Sequence, residues 1–507
     1  MTASYQHSNP KMAETLNIPR QSIFHWSSTN PSKDFDVHNP ATGKILTTVR
    51  GGDAATTIAA ISASATAFGK WKQRSLADRG QLLLACSAAI TLHKQELTDL
   101  LCAENGKPVL DAALDVSFLI KVFEFFGSLI DKRPGQFHDR GAVYTSIVRE
   151  PLGVCAGVLP FNWPPIHAGG KIAPCVAAGN TIIIKPGEQA PLTVMRIIEI
   201  LQTVLPKDVV QAVPGAGAEV AQLLTESPVV KMISLTGSTS AGAAVAKTAS
   251  KLVKRTALEL GGKNAFIVFD DSDLDRAVKG ALEGAFFNKG EACTAASRLL
   301  VHEKVYDEFV DKLSSAVRRL RVGNGFDRAT HVGPVVTKQQ QERINGYITL
   351  ASDEGAKIAA QADLPSDVSL KDGYFIAPTL FRDVLRTMRI AQEEIFGPVA
   401  TVCSFNSEEE AVSIANESKY GLVAAIWSKD MERALRVSRQ VDTGMVFINN
   451  YCRSGLGLPH GGSKESGYGR EHWIETLDEW STIKYIQMPS GLGQVPAWRS
   501  VADVFDD

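Results

Sequence analysis

VCAGVL at 154–159, TIIIK at 181–185, DVVQAV at 208–213, VVKMISL at 229–235, TALEL at 256–260 and AFIVF at 265–269 decide the fold. Each run is short, rich in Val, Ile and Leu, and too continuously apolar to alternate between a wet and a dry face. Such runs suit strands buried on both sides. Between them, apolar residues recur at helical spacing near 165–178, 191–204, 217–225 and 240–250. Strands alternating with helices predict an α/β fold, with a parallel sheet covered by helices on both faces.

Outside this stretch, residues 1–30 are polar and read as a loose arm, and helices are expected over 54–72, 78–104 and 109–131. The second of these is stopped by Gly106 and Pro108. A second α/β series is expected after 272. It has helices near 273–287, 304–320 and 337–352, and strands at LLVH (299–302) and VAAIW (423–427). TIKYIQ (482–487) reads as a last strand that needs a sheet edge, which another subunit could supply.

The length of 507 residues exceeds what one core serves, so more than one unit is expected. A formal net charge of −2 offers no basic excess for nucleic acid or an anionic membrane surface. Seven cysteines without a C-x-x-C pair predict a reducing compartment rather than a disulfide framework. The histidines form no ligand-spaced cluster, so no metal site is expected. The first residues lack an apolar core, and no run nears the roughly 20 residues that span a bilayer. A cytoplasmic protein is the expectation.

Five motifs suggest chemistry. ISLTGSTSAG (233–242) is a strand-to-helix turn whose backbone N–H groups suit a phosphate, with Gly237, Ser238 and Gly242 in it. KPGE (185–188) puts Lys185 and Glu188 after a strand, where α/β sheets bind ligands and a carboxylate can hold a ribose. LELGGK (258–263) ends a strand with Glu259, a partly desolvated carboxylate suited to a general base. In FNKGEACTAASRL (287–299), Cys293 lies among small and polar residues, so a thiolate there is accessible; the other cysteines read as inert packing. In LPFNWPP (159–165), the Asn162 amide could donate to a developing oxyanion. Taken singly, each has a plainer reading: a turn, a solvated ion pair or a buried thiol. EEIFGPV (393–399) and LPHGGSKESGYGRE (458–471) name no chemistry unaided.

Together and in this order, from about residue 35 to 487, these motifs resemble the aldehyde dehydrogenase superfamily. The most specific part is a glutamate in ELGGK with a cysteine 34 residues further on. The resemblance implies a Rossmann-like cofactor domain (20–130 and 150–262), a catalytic α/β domain (263–475) and a small β oligomerisation element (131–149 with 476–490). Terminal arms would flank these at 1–19 and 491–507. It implies Cys293 as nucleophile, passing through a thiohemiacetal and a thioester. Asn162 would stabilise the oxyanion, Glu259 would activate water, and Glu471 would be a second proton-relay carboxylate. Lys185 and Glu188 would hold the adenine ribose, the 237–242 turn the pyrophosphate, and Glu394, with Phe396 beside it, the nicotinamide ribose; Leu260 belongs to the same cofactor site. NAD is expected over NADP, because Glu188 repels a 2′-phosphate that Lys185 could still tolerate. A homodimer or homotetramer is expected.

Two positions depart from the family's habit. Gly170 and His460 stand where bulky aromatics are common, which predicts a widened aldehyde tunnel lined by Trp163, His167 and Phe287. A bulky aromatic or long-chain aldehyde follows, unless neighbouring side chains refill the space. The competing readings are a coenzyme A-acylating enzyme, a non-catalytic scaffold on the same fold, and a cofactor-free thiol hydrolase.

Overall fold

A computed structural model describes residues 33–132, 135–451, 455–495 and 504. The expected N-terminal arm, much of the C-terminal one and Cys452 lie outside the described residues. The first sheet runs in the order Gly467–Tyr468, Arg255–Glu259, Val230–Thr236, Val154–Val158, Thr181–Lys185, Val210–Ala212. All neighbours are parallel except Gly467–Tyr468, which lies antiparallel to Arg255–Glu259. Chain order reverses between Val154–Val158 and Val230–Thr236. A crevice therefore opens at their carboxyl ends, where 159–163 and 237–238 leave the sheet.

The second sheet has seven strands, in the order Lys357–Gln361, Thr379–Arg382, Val399–Phe405, Arg298–His302, Ala265–Val268, Val423–Trp427, Met445–Ile448. It is parallel apart from its first pair. The AFIVF run therefore belongs at the centre of the second sheet, not with the first series. Hydrophobicity marks a run as buried but not which sheet buries it. The chain leaves the first sheet at Glu259 and enters the second at Ala265, so the carboxyl edge of one faces the amino edge of the other.

Three further expectations are corrected. The 78–104 helix is two helices, Leu76–Leu92 and Lys94–Asn105. His93 breaks them with φ −104° and ψ 12°, and its ring pairs with Glu96 at 2.7 Å. The 217–225 helix opens as a π-turn, Gly217–Ala221. The last strand, Ser481–Pro489, finds its edge within its own chain, antiparallel to Val143–Pro151, which also pairs with Gln136–Asp139. Among the described residues, no helix is long and apolar enough to cross a membrane.

Candidate active site

The motifs converge because glycines let their backbones touch. A Cβ on Gly262 would lie 2.3 Å from the Cys293 carbonyl oxygen, and one on Gly261 would lie 2.4 Å from Glu394 Oε2. A Cβ on Gly290 would lie 2.1 Å from the Gly397 carbonyl oxygen. ELGGK, the cysteine loop and EEIFGPV are thus one packed body, and at Gly262 and Gly290, which face backbone, no side chain fits. Asn264 ties the body down, its Nδ2 donating to the carbonyls of Cys293 and Ala295, each at 2.8 Å.

The loop before Cys293 is held in an unusual conformation. Asn288, Lys289 and Gly290 all have positive φ (49°, 63° and 67°), a region that costs non-glycine residues about 1–2 kcal/mol each. A fully buried network offsets that strain. Lys289 pairs with Glu291 at 2.9 Å and donates to the backbone and side-chain oxygens of Asn105, both at 2.8 Å. Glu291 Oε1 accepts from the Val336 N–H at 3.1 Å. The sequence reading missed this network; its signal was a Lys and a Glu inside an otherwise buried loop.

Cys293 is half-buried, whereas Cys86, Cys102, Cys155, Cys175 and Cys403 are buried. It packs with Trp163, Ile166 and Phe287. The Trp163 and Phe287 rings stack with centroids 6.3 Å apart. Burial, then the nearby charges of Glu259 and Glu394, push the thiol up. Asn162 Nδ2 donates to the Glu291 carbonyl at 3.2 Å, leaving its second N–H for another acceptor. The Asn162 backbone carbonyl accepts from Lys107 and Asn288, at 3.0 and 3.2 Å.

Glu259 is buried at the end of its strand, with Oε1 unpartnered. Burial, then the charge of Glu471, raises it well above the usual carboxylate range. Glu471 is held below that range. Burial would raise it, but Lys171, 2.5 Å away, and His472 outweigh burial. Lys171, on the Pro164–Ala177 helix, also donates to Ser234 Oγ at 3.0 Å. His167, one turn earlier, brings a ring nitrogen within 4.8 Å of carboxylate oxygens of both Glu259 and Glu471. The three have the makeup of a cation site, and the Lys171 ammonium already answers the charge there. Sequence spacing could not disclose this group, because its members come from three distant segments.

Beside Gly170 the contacts favour the alternative in which neighbouring side chains refill the space. A Cβ on Gly170 would lie 2.7 Å from His472 Cε1 and 3.1 Å from Glu471 Oε2. The volume a large ring would fill is occupied by His472, whose ring packs edge-on against Phe118 (5.2 Å) and His460 (5.7 Å). His460 and Glu471 are joined by a reciprocal pair of backbone hydrogen bonds of 3.0 and 2.8 Å. The sequence reading weighed position 170 without knowing what lay above it.

A groove at the crevice gathers the remaining candidates. Lys185 Nζ meets Glu188 Oε1 at 2.7 Å, and the same oxygen accepts from the Gly217 N–H at 2.6 Å. Ser238 caps the Thr239–Ser250 helix, its Oγ accepting from the Ala241 N–H at 3.2 Å. Under that turn, the Thr236 hydroxyl is buried and unpartnered. Leu260 packs against Gly242, where a Cβ would lie 2.6 Å from Leu260 Cδ2. Glu394 accepts from the Gly262 N–H at 2.9 Å, and burial raises its pKa to about 7. Phe396, with φ 57°, sets its ring edge-on to Phe161 at 5.7 Å.

A half-buried thiol and a buried carboxylate lie near the crevice of a parallel sheet, and comparison with known proteins gives the family. The aldehyde dehydrogenase family model matches residues 26–486, and the chain belongs to that family. An aldehyde dehydrogenase of Didymella fabae is 59% identical over 490 residues, covering 96% of this chain and 99% of its own. The betaine aldehyde dehydrogenase of Bacillus subtilis is 38% identical over 480 residues, covering 94% and 97%. The Staphylococcus aureus betaine aldehyde dehydrogenase, solved with NAD+, superposes with a TM-score of 0.91 at 36% identity, covering 96% and 98%.

Proposed function

We propose that the chain oxidises an aldehyde to its carboxylic acid with NAD+, using Cys293 as nucleophile. The observation that carries this reading is the half-buried Cys293 thiol, set against an apolar aromatic wall and within the electrostatic reach of Glu259. The Cys293 sulfur adds to the carbonyl carbon, and the thiol proton passes to the Glu259 carboxylate. The Asn162 amide and the Cys293 backbone N–H donate to the oxygen as it gains charge. NAD+ supplies hydride acceptance when bound. Cys293 then carries the acyl group as a thioester. Once Glu259 has released the thiol proton to solvent, its carboxylate takes a proton from water, the hydroxide oxygen adds to the acyl carbon, and the C–S bond breaks to release the acid and the Cys293 thiolate.

Two features at the crevice support a dinucleotide there. The Thr236 hydroxyl is unpartnered below the turn, and a Cβ on Gly237 would meet nothing nearer than Leu235 at 3.5 Å. Lys185 and Glu188 would hold the adenine ribose, the 237–242 turn the pyrophosphate, and Glu394 the second ribose, with Phe396 and Leu260 beside it. Glu188 makes NAD the favoured form over NADP. The substrate is a bulky aromatic or long-chain aldehyde, a reading supported by the aromatic surface that Trp163 and Phe287 place in the apolar cluster with Cys293. We place the protein in the cytoplasm as a homodimer or homotetramer.

The test is NADH formation across an aldehyde panel, with and without coenzyme A. Turnover without coenzyme A, abolished by Cys293→Ala, supports the hydrolytic route. A strict requirement for coenzyme A, or full activity in Cys293→Ala, overturns it.

A further inference from the structure

Three imidazoles cluster beside the proposed general base. His167, His460 and His472 gather beside Glu259 and Glu471. Both ring nitrogens of His167 are buried with no hydrogen-bond partner, as are Nδ1 of His472 and Oε2 of Glu471. Buried donors and acceptors without partners are uncommon in folded proteins and point to a missing ligand group. Burial lowers His167 to about 3 and His460 to about 4, so both rings are neutral at pH 7 and each offers one N–H and one acceptor nitrogen.

The charge around them is closed. Lys171 answers Glu471, and Glu259 lies buried beside that pair. An anionic substituent would face two carboxyl groups, and a cationic one would face Lys171. A neutral group that both donates and accepts matches the free valences. The Trp163 and Phe287 rings, in the apolar cluster that includes Cys293, offer aromatic surface for the rest of the molecule.

Resting on the aldehyde-oxidising reading, we propose that His167 and its neighbouring imidazoles recognise a neutral hydroxyl carried by the substrate, so that the preferred class is hydroxylated aromatic aldehydes. His167 is then a specificity-determining residue, the partner of that hydroxyl.

The test compares kcat/KM for 2-, 3- and 4-hydroxybenzaldehyde with the matching methylbenzaldehydes, and with betaine aldehyde, using the full-length enzyme and NAD+. At least one hydroxy isomer should exceed its methyl counterpart by about tenfold or more, because a site built to bond a hydroxyl rejects the analogue lacking it. In His167→Leu that ratio should fall to about one, whatever the change in overall rate. His167→Asn, which keeps a donor and an acceptor, should restore part of it. Ratios near one for all three isomers in the wild type overturn the proposal, and that comparison needs no variant to fold. So does a ratio that survives in His167→Leu, or betaine aldehyde outrunning every hydroxybenzaldehyde. Absence of NADH with every aldehyde would instead sink the underlying oxidation reading.

Discussion

Glu259 is where single-residue chemistry can be read most directly. On the proposed mechanism its base form is the working form, and its pKa is raised, so activity should fall as pH drops through a value above the ordinary carboxylate range. The acid limb of the pH–kcat/KM profile should lie there, and Glu259→Gln should remove the limb along with most of the rate. Lys171 lowers both Glu259 and Glu471; Lys171→Met should therefore move that limb to still higher pH. An unmoved limb in Lys171→Met would show that the ammonium does not govern the pair. Gly170→Trp should abolish turnover of small and large aldehydes alike and lower Tm, since His472 and Glu471 occupy the space the indole needs. Cys293 and Glu259 were legible in the sequence because small residues and glycines beside a thiol or an acid leave room for a reactant. His472 as the filler above Gly170 was not, because the two meet only through the tertiary fold.

Strands and helices were legible as elements because buried parallel strands are continuous apolar runs and their covering helices are periodic. Their pairing was not: AFIVF reads like its predecessors yet forms the centre of the second sheet. Loops were least legible, and the 287–297 segment is the clearest case. Nothing local in NKG announces three successive left-handed residues. The cause is a buried pair within the loop, Lys289 with Glu291, seated on the distant Asn105. Lys289→Met leaves the Glu291 carboxylate buried without its partner and should destabilise the protein by about 3–5 kcal/mol, seen as a lower midpoint in urea unfolding. Gly290→Ala should lose activity well before it loses fold: φ is 67° and the new methyl would press on the Gly397 carbonyl. Thiol titration of the folded variant would check whether Cys293 has shifted.

For the whole molecule, the three-stranded arm of Gln136–Asp139, Val143–Pro151 and Ser481–Pro489 leaves large side chains in solvent. Phe137, Ile483 and Tyr485 are 62%, 61% and 67% exposed, an arrangement that a second subunit would cover. Ile483→Lys with Tyr485→Lys should shift the protein toward monomer in light scattering; an unchanged mass would place the subunit contact elsewhere. The contact between Gly290 and Gly397 bears on how such an enzyme can be altered. The segment carrying the sulfur rests on another, more than a hundred residues downstream, with no side chain between to absorb a change. Transplanting only 287–297 into a relative would deliver the nucleophile without its seat. A working hybrid must exchange both pieces together, and natural variation at the two should therefore be inherited as a pair.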